Sequence, residues 1–439
     1  MGLRQDISIG ARAVTGLVAG RGRYLRALGT FGELVAVYTR RRVAPSEARS
    51  LEDTHRYAAG RVTELCRRNG ASWVKAAQFF SVRPDILPRE YIESLQELQN
   101  EAAPVHFDEL KQALIDAWGK DWERHFSEFD LVPVATASIA QVHRARLTSG
   151  EEVAVKIRLP EVLRLFDQDS RIFRLLARVA APFFRELDIP QVVEQLLDMT
   201  SVELDFRNEA ENMRRFARLP HPDGIRVPSL FAELSGPAVL VSGWEEGDRL
   251  RDYLDKHPED ANDLLGRLFA SYLQQVTRFG MYQADPHPGN FIVNSQRELV
   301  ILDFGAIGKL EPNEVRSYSR LLYGLMGFEG QVDIGELFID AGFVGGSAET
   351  LRNLAMYVLS DKLKQSRPTD AMAELLQLFR ENHISIPDSY IGIARVLITI
   401  GGFLMNFDVP FDWTPPERRR VSNSKGQQKK RRKSDREEG

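Results

Sequence analysis

The sequence of 439 residues contains a single cysteine, Cys66. One thiol cannot form an internal disulfide or assemble a thiolate metal site by itself, so the sequence indicates a reducing compartment and gives no support for secretion. Long apolar runs are scarce as well. The stretch from Val396 to Phe407 has only twelve residues between Arg395 and Asp408. Because a membrane span needs about 20, a buried helix is predicted there.

A strong charge imbalance is also absent, with 58 Lys and Arg against 62 Asp and Glu and a formal net charge of −4. This balance excludes a global preference for nucleic acid. With 43% hydrophobic and 27% charged residues, the composition is that of a folded protein with roughly two to three domain-sized units.

Positive charge is concentrated at the two ends of the chain. The first 42 residues carry eight arginines and apolar patches, which suit either an amphipathic helix on an anionic membrane or a surface helix with solvated arginines. The tail from Pro415 carries ten Lys or Arg, including the run from Lys429 to Lys433. This tail is predicted to be disordered, and it is either simply solvated or a binder of anionic lipid, RNA or an import receptor.

Hydrophobic periodicity changes along the chain. Residues up to about 125 are predicted to be helical, and a hairpin is predicted from 141–147 and 152–158 around a Ser149-Gly150 turn. Helical stretches follow at 162–184 and 192–219, and 226–234 and 238–242 are predicted to be further strands of the same sheet. From 250 onward the chain is mainly helical, apart from a compact segment at 281–307.

The most informative segment is Ala-Asp-Pro-His-Pro-Gly-Asn at 284–290, followed by two short apolar runs and Asp-Phe-Gly at 303–305. A hairpin of the two runs would return Asn290 and Asp303 to the same end, where their oxygens suit Mg²⁺ and its phosphate ligands. Asp285 precedes Asn290 by five residues, which is the Asp–Asn spacing of a protein-kinase catalytic loop. Asp-Phe-Gly is the metal-binding signature of kinases.

A kinase-like site also needs a strand lysine that contacts nucleotide phosphates and is held by a carboxylate on a helix. Lys156, in Val-Ala-Val-Lys, is the candidate, with Glu203, Asp205 and Glu209 as its potential partners. Glu203 and Glu209 are six positions apart, about 240° around a helix, so they cannot both face Lys156. One of them needs another cation, and Lys75 is the candidate.

The usual glycine-rich phosphate loops are missing, since no Gly-x-Gly-x-x-Gly precedes the lysine strand and no Walker-type loop occurs. Small residues stand in that place: Ala135, Thr136, Ala137 and Ser138. They allow a backbone to pass close to phosphates, but their φ angles are largely restricted to negative values. A stiffer phosphate cover than a glycine loop is therefore predicted.

Taken together, these motifs resemble the UbiB/AarF/ADCK family of atypical, protein-kinase-like proteins over about residues 64–408. The resemblance includes a KxGQ-like segment at 75–78, the alanine-rich loop with Gln141-Val142-His143, Lys156, an ExD-like segment at 203–205, the 285–290 motif and Asp-Phe-Gly. It implies an α+β fold, bilobal and protein-kinase-like. The implied domains are a helical extension at 1–125, an N-lobe at 126–245, a helical C-lobe at 246–412 and a basic tail at 413–439.

The same resemblance implies roles for individual residues. Lys75 and Gln78 would belong to an extension that covers the site where ordinary kinases admit peptides, which makes protein phosphorylation unexpected. Glu209 would pair with Lys156, the phosphate contact, and Glu203 with Lys75. Asp285 would be the catalytic-loop acid, and Asn290 and Asp303 the Mg²⁺ ligands. The adenine hinge is assigned to Val241, Ser242, Gly243 and Trp244.

Several positions depart from the family pattern: Ala77, Thr136, Ala140, Gly243, which replaces the hinge acid, and Gln283, which replaces a histidine of many relatives. None is a metal ligand. The departures bear on nucleotide preference, on the tightness of the helical cover and on how adenine is bound.

The implied function is that of an Mg-dependent, ATP-binding kinase or ATPase in isoprenoid-quinone or other lipid metabolism. The alternative is a catalytically weak, nucleotide-gated, lipid-binding pseudokinase module. Nucleic-acid binding through the tail ranks last because the tail has no aromatic residues for base stacking. We expect a cytoplasmic protein, with peripheral contact to an anionic membrane as the further alternative.

Overall fold

A computed structural model describes residues 3–44, 50–81, 83, 86–98, 104–183, 188–325, 332–359, 378–379, 381–407 and 409. Side chains are described for these residues except 3–21, 183 and 358–359. The predicted basic tail at 413–439 therefore lies outside the described residues, and three of the eight N-terminal arginines, at 4, 12 and 21, lie outside the described side chains.

The described part of the chain is a mixture of helices and short strands. Its helices are α1 (Leu3–Val43), α2 (Leu51–Asn69), α3 (Ala71–Phe80), α4 (Arg89–Gln96), α5 (Phe107–Trp118), α6 (Val162–Ala180), α7 (Ile189–Glu203), α8 (Phe206–Phe216), α9 (Leu250–Lys256), α10 (Ala261–Gln274), α11 (Pro312–Leu325), α12 (Ile334–Asp340), α13 (Ala348–Leu359) and α14 (Asp388–Asn406). Its strands are β1 (Phe126–Phe129), β2 (Ala135–Thr136), β3 (Ala140–Leu147), β4 (Glu152–Arg158), β5 (Ile225–Arg226), β6 (Val239–Gly243), β7 (Asp248–Arg249), β8 (Met281–Gln283), β9 (Phe291–Val293), β10 (Leu299–Ile301) and β11 (Ile307–Lys309).

The chain divides into two compact units. The first comprises Met1–Glu211 and Ser229–Trp244, and the second comprises Asn212–Pro228 and Glu245–Gly439. The finer division into an extension, an N-lobe, a C-lobe and a tail stays a prediction, since the first unit contains both the helical extension and the first antiparallel sheet.

The sheet of the first unit has the order β1-β3-β4-β6, with β2 paired to β3. The predicted β3–β4 hairpin is confirmed, with Gln141 opposite Ile157 and Val142 opposite Lys156. Val153, Val155 and Ile157 alternate along β4 and are fully buried in an aromatic core that includes Phe107 and Trp122. Because side chains alternate between the two faces of a strand, Lys156 points away from that core.

The prediction that 226–234 forms a strand of this sheet is wrong. Only Ile225–Arg226 is a strand, and it pairs in parallel with β10 in the second unit. Pro228 has no backbone N–H to donate to a neighbouring strand, so the ladder does not continue through it. The chain that follows makes a single bridge from Leu230 to Ser242 and a 3₁₀ turn at Ala232–Leu234.

A buried ion pair joins helices α1 and α6 of the first unit. Arg23 Nε lies 2.9 Å from Asp169 Oδ1, and Trp73 Nε1 on α3 donates to the same oxygen at 2.9 Å. The side chain of Asp169 is fully buried and that of Arg23 is 7% exposed. Another guanidinium nitrogen of Arg23 donates to the C=O of Asn69 at the end of α2. Sequence periodicity did not indicate this cluster, which connects α1, α2, α3 and α6 of the first unit.

The late apolar helix is longer than the twelve residues predicted for it. α14 begins at Asp388 and continues through Arg395, so a single charged residue did not mark its end. By length and composition it is the one helix in the described residues that could cross a membrane, which is weak evidence because core helices of soluble proteins pass the same test. Seven of its residues are buried: Tyr390, Ile393, Ala394, Val396, Ile400, Gly401 and Leu404.

Substituting Arg23 with Met should lower the free energy of unfolding by about 3 kcal/mol, because Asp169 would remain buried without its cation. Arg56→Met is the matched control, since Arg56 makes an exposed i,i+4 pair with Glu52 and should change stability by less than about 0.5 kcal/mol. Urea unfolding followed by circular dichroism measures both. Equal stability of the two variants would contradict a stabilising role for the buried pair.

Candidate active site

A short hairpin of the second unit brings together the two predicted metal ligands. β9 and β10 are antiparallel, with Leu299 opposite Val293 and Ile301 opposite Phe291. The N–H of Leu302 then donates to the C=O of Asn290 at 2.9 Å. Asp303 is the next residue, so Asn290 and Asp303 lie at the same end of the hairpin, as the sequence predicted.

The side-chain amide of Asn290 is oriented by Asp285. Its Nδ2 donates to the C=O of Asp285 at 2.9 Å and lies 3.3 Å from Asp285 Oδ2. Since an amide is planar, Oδ1 of Asn290 points to the opposite side as an acceptor. The carboxylate of Asp303 is oriented by the N–H of Gly305, which donates to its Oδ1 at 2.8 Å.

A buried network of neutral side chains supports the loop that carries Asp285. Gln283 Nε2 donates to the C=O of Asp285 at 2.7 Å, and the hydroxyl of Tyr272 donates to Gln283 Oε1 at 2.6 Å. Gln275 Oε1 accepts from the backbone N–H of Gln283 at 3.0 Å. Gln275 opens a π-helical turn, Gln275–Phe279, that continues α10. Sequence analysis singled out Gln283 but missed Tyr272 and Gln275.

The acidic side chains of this loop affect the electrostatics of the network. Tyr272 is fully buried, and burial raises the pKa of its hydroxyl well above its usual range. The negative charges of Asp285 and Asp303 raise the pKa of Tyr272 further. The hydroxyl therefore stays protonated and acts as a hydrogen-bond donor to Gln283.

The donor set at this hairpin fits a hard cation that keeps other ligands. In the described residues, no group of three or more His, Cys, Asp or Glu side chains could bind a metal ion by itself. Asn290 and Asp303 would supply two oxygens, and Mg²⁺ prefers oxygen ligands and commonly retains water and phosphate oxygens in its octahedral shell. The residues thus suit Mg²⁺ that arrives with a phosphate ligand.

In the first unit, the predicted strand lysine is paired with a glutamate. Lys156 Nζ lies 2.7 and 2.8 Å from the two carboxylate oxygens of Glu209 on α8. The side chain of Glu209 is 5% exposed and that of Lys156 is 21% exposed. The ammonium group also lies 5.4 Å from the ring centre of Phe206. The lysine is therefore ordered, and one side of it is exposed to solvent.

The second predicted pair is present as well, with Lys75 Nζ on α3 lying 2.5 Å from Glu203 Oε2. The pairing of Glu203 with Lys75 was predicted from the angle between Glu203 and Glu209 around a single helix. That reason was wrong, because 192–219 is not one continuous helix. α7 ends at Glu203, and α8 begins at Phe206 after Asp205, whose Oδ1 accepts from the N–H of Arg207 at 3.1 Å. The two glutamates thus lie on separate helices.

The remaining residue of the predicted occluding extension is Gln78, three positions after Lys75. It is partly buried on α3, and its C=O accepts from the hydroxyl of Ser81 at 2.9 Å. Its predicted role over the peptide site of ordinary kinases stays a prediction.

The alanine-rich loop is a short hairpin connection between β2 and β3. β2 and β3 pair with Ala135 opposite Val142 and Thr136 opposite Gln141, and the N–H of Ala137 donates to the C=O of Ala140 at 2.8 Å. No non-glycine residue of this turn has a positive φ angle. The turn is therefore compatible with small residues other than glycine, and its contact with phosphates stays a prediction.

Gln141 has a structural role next to this turn. Its Oε1 accepts from the N–H of Val105 at 2.9 Å, and its Nε2 donates to the C=O of Val105 at 3.1 Å. The Nδ1 of His143 lies 2.8 Å from the C=O of Asp130, and burial lowers the pKa of His143. These two buried side chains attach neighbouring segments to the sheet.

The predicted adenine hinge has few spare backbone donors. The N–H of Val241 donates to Ser235 Oγ, that of Gly243 to the C=O of Ser229, and that of Trp244 to the C=O of Glu152, at 2.8–3.0 Å. Ser242 pairs with Ala154 within the sheet. Adenine recognition by Val241–Trp244 stays a prediction, and it would have to use carbonyl oxygens and side chains.

Substituting Lys156 with Met should lower the free energy of unfolding by about 3 kcal/mol, because it removes a cation that contacts the buried carboxylate of Glu209. The double variant Lys156→Met/Glu209→Gln should recover part of that loss, since the buried group becomes neutral. Arg174→Met, which breaks an exposed pair with Glu194, is the control and should cost less than about 1 kcal/mol. Additive effects of the two substitutions in chemical unfolding would show that Lys156 and Glu209 do not interact.

Comparisons with known proteins identify the family. The mouse AarF domain-containing protein kinase 1 is 32% identical over 259 residues, which cover 57% of this chain and 49% of that protein. The Arabidopsis thaliana chloroplastic protein ACTIVITY OF BC1 COMPLEX KINASE 7 is 27% identical over 369 residues, covering 82% and 53%. Curated relatives such as these are matched over 35–65% of their length.

A solved structure has a similar fold. The Rv3197–erythromycin complex from Mycobacterium tuberculosis superposes with a TM-score of 0.54 at 25% identity, covering 76% of this chain and 87% of that one. The mixed α+β, kinase-like fold predicted from the sequence is confirmed. The model of the ABC1 atypical kinase-like domain matches residues 97–331, more than half of the chain. This chain therefore belongs to the ABC1 atypical kinase-like family, which includes the AarF-type proteins that its motifs resemble.

Proposed function

We propose that the protein binds Mg–ATP and uses it in phosphoryl transfer or hydrolysis, acting on a lipid-derived or isoprenoid-quinone-related molecule rather than on proteins. The observation that carries this proposal is the arrangement of the β9–β10 hairpin. Asn290 and Asp303 stand at one end of it, and Asn290 is hydrogen-bonded to Asp285. This is the set of groups that phosphoryl transfer by a kinase-like site requires.

Each group would have a distinct part in the reaction. Asn290 and Asp303 would bind Mg²⁺, which neutralises the charge that develops on the phosphate oxygens. Lys156, which is paired with Glu209, would contact the phosphates and would also neutralise their negative charge. Asp285 would accept a hydrogen bond from the attacking hydroxyl or water and orient it, since its backbone is fixed by Gln283 and Asn290.

The helical extension favours a small acceptor over a protein. Lys75 on α3 forms its ion pair with Glu203 at the end of α7, so the KxGQ-like segment is attached to a helix of the kinase-like fold. The similar structure from Mycobacterium tuberculosis is a complex with erythromycin. Both observations support our proposal of a small-molecule acceptor, which we extend to lipid-derived molecules.

A catalytically weak, nucleotide-gated lipid-binding module is the second candidate. Two observations favour it, namely the turn without glycine at Ala137 to Ala140 and the occupied backbone N–H groups of Val241, Gly243 and Trp244. Such a module would need nucleotide binding but not turnover. An Asp285→Asn variant that binds Mg–ATP normally and keeps full cellular function would favour the module over the enzyme.

The surface of α1 supports peripheral contact with an anionic membrane. Leu25, Leu28, Val35 and Val43 are 70%, 39%, 36% and 78% exposed. At 100° per residue they lie within roughly 80° of one another on one helix face. The exposed Arg40 and Arg42 flank this face on its two sides. An apolar face bordered by arginines is typical of helices that lie in the membrane interface.

Asp303→Asn should lower the rate of Mg–ATP hydrolysis by about 10²–10³-fold, because it removes a charged metal ligand. Asp255→Asn is the control, an exposed aspartate on α9 of the same unit whose substitution should leave the rate unchanged. Phosphate release is measured with and without detergent and an isoprenoid-phenol mimic. Equal rates for wild type and Asp303→Asn would refute the assignment.

Leu25→Glu/Leu28→Glu should weaken flotation with vesicles that contain phosphatidylglycerol by at least about tenfold, because two apolar anchors become anionic. Val344→Glu is the control, since Val344 is 66% exposed in the second unit. A truncation that lacks 415–439 measures the contribution of the tail. Unchanged flotation of the α1 variant would exclude α1 as the contact surface.

A further inference from the structure

A cation on the apolar helix α14 contacts the loop of the candidate active site. Arg395 Nη2 donates to the C=O of Ala284 at 2.7 Å, and both residues belong to the second unit. The N–H of Ala284 donates to the C=O of Ala306 at 2.8 Å. The peptide groups on both sides of Ala284 are thus fixed, immediately before Asp285.

The packing of α14 against β8 allows Arg395 to reach the loop. Tyr282, two residues before Ala284, lies between Gly308 of β11 and Gly392 of α14. A Cβ atom at Gly308 would lie 2.2 Å from the Tyr282 ring, and one at Gly392 would lie 2.6 Å from the Tyr282 hydroxyl. A side chain at either position would force Tyr282 to move, so the side of α14 that carries Arg395 lies close to β8.

The start of α14 is attached independently to a neighbouring helix. Ser389 donates to Glu314 of α11 at 2.6 Å, and its hydroxyl also lies 2.6 Å from the hydroxyl of Tyr318. Burial raises the pKa of Tyr282 to about 12, and the positive charge of Arg395 opposes part of that rise. The guanidinium is therefore close enough to act electrostatically on β8 as well as on the loop.

We propose that Arg395 is a positioning residue that fixes the backbone at Ala284 and thereby the direction of the Asp285 carboxylate. α14 then helps to position the loop that carries Asp285. A helix inserted across a membrane would have to withdraw Arg395 from this carbonyl and place a charge near the middle of the span, which is costly. The proposal rests on the proposed Mg–ATP chemistry. It adds that three side chains, Arg395, Gln283 and Asn290, hold the backbone carbonyls of the loop in position by hydrogen bonds.

The guanidinium group suits this role for two reasons. It stays charged at any ordinary pH, so the contact does not titrate. A hydrogen bond from a charged donor is also stronger than one between neutral groups. The Arg395→Lys substitution keeps the charge but gives a side chain of shorter reach and different geometry, so this variant should restore part of what Arg395→Ala loses.

The test compares Arg395→Ala, Arg395→Lys and the control Met405→Ala, whose side chain lies on the same helix and is 37% exposed. Arg395→Ala should lower kcat for Mg–ATP hydrolysis by about 10–100-fold with KM changed less than about twofold, because orientation rather than binding is lost. Arg395→Lys should be intermediate, and Met405→Ala should match wild type. Hydrogen exchange of the backbone amides in 284–290 should be faster in Arg395→Ala, intermediate in Arg395→Lys and unchanged in Met405→Ala.

Hydrogen exchange also tests the positioning role of Arg395 independently of the proposed function. If the wild type does not hydrolyse Mg–ATP, the proposed function fails, and the exchange rates alone decide whether Arg395 orders the loop. Wild-type kcat together with unchanged exchange in Arg395→Ala would overturn the positioning role. If Arg395→Ala does not fold, the same comparison is made with Arg395→Lys, for which wild-type kcat and wild-type exchange would likewise overturn it.

Discussion

The register of one short hairpin determines where the two predicted metal ligands of this protein lie. The hydrogen bond from Leu302 to Asn290 ends the β9–β10 ladder and leaves Asn290 and Asp303 side by side. A slip of one residue would turn every side chain of one strand to the opposite face and would separate the two oxygen donors. The buried side chains of β9 and β10 make such a slip unfavourable, since Phe291, Leu299, Val300 and Ile301 are fully buried.

Much of this arrangement could be predicted because it is local in sequence. The β9–β10 hairpin and the β3–β4 pairing follow from alternation and turn residues, and the family resemblance implied the pairing of Lys156 with Glu209. The division of the two glutamates was predicted correctly for the wrong reason, because a break at Asp205 rather than helical angle separates Glu203 from Glu209. Where a helix ends depends on capping contacts that periodicity alone does not reveal.

The contacts that sequence analysis missed are long-range or involve residues with ordinary local patterns. Arg23 and Asp169 are 146 positions apart, and Arg395 and Ala284 are 111 positions apart. Nothing in the local pattern of an arginine distinguishes one that is solvated from one that binds a buried carboxylate or a loop carbonyl. The two-residue strand β5 was misplaced for a similar reason, since its partner β10 lies far along the chain.

We expect the protein to bind a divalent cation tightly only together with the nucleotide. Mn²⁺ can replace Mg²⁺ at such oxygen sites and is visible by electron paramagnetic resonance, so titrating Mn²⁺ with and without ATP measures this coupling directly. We expect weak binding of Mn²⁺ alone, tight binding of Mn–ATP by wild type, and loss of the tight binding in Asp303→Asn. Mn–ATP binding that is equally tight in Asp303→Asn, or no nucleotide-dependent binding in wild type, would contradict the account.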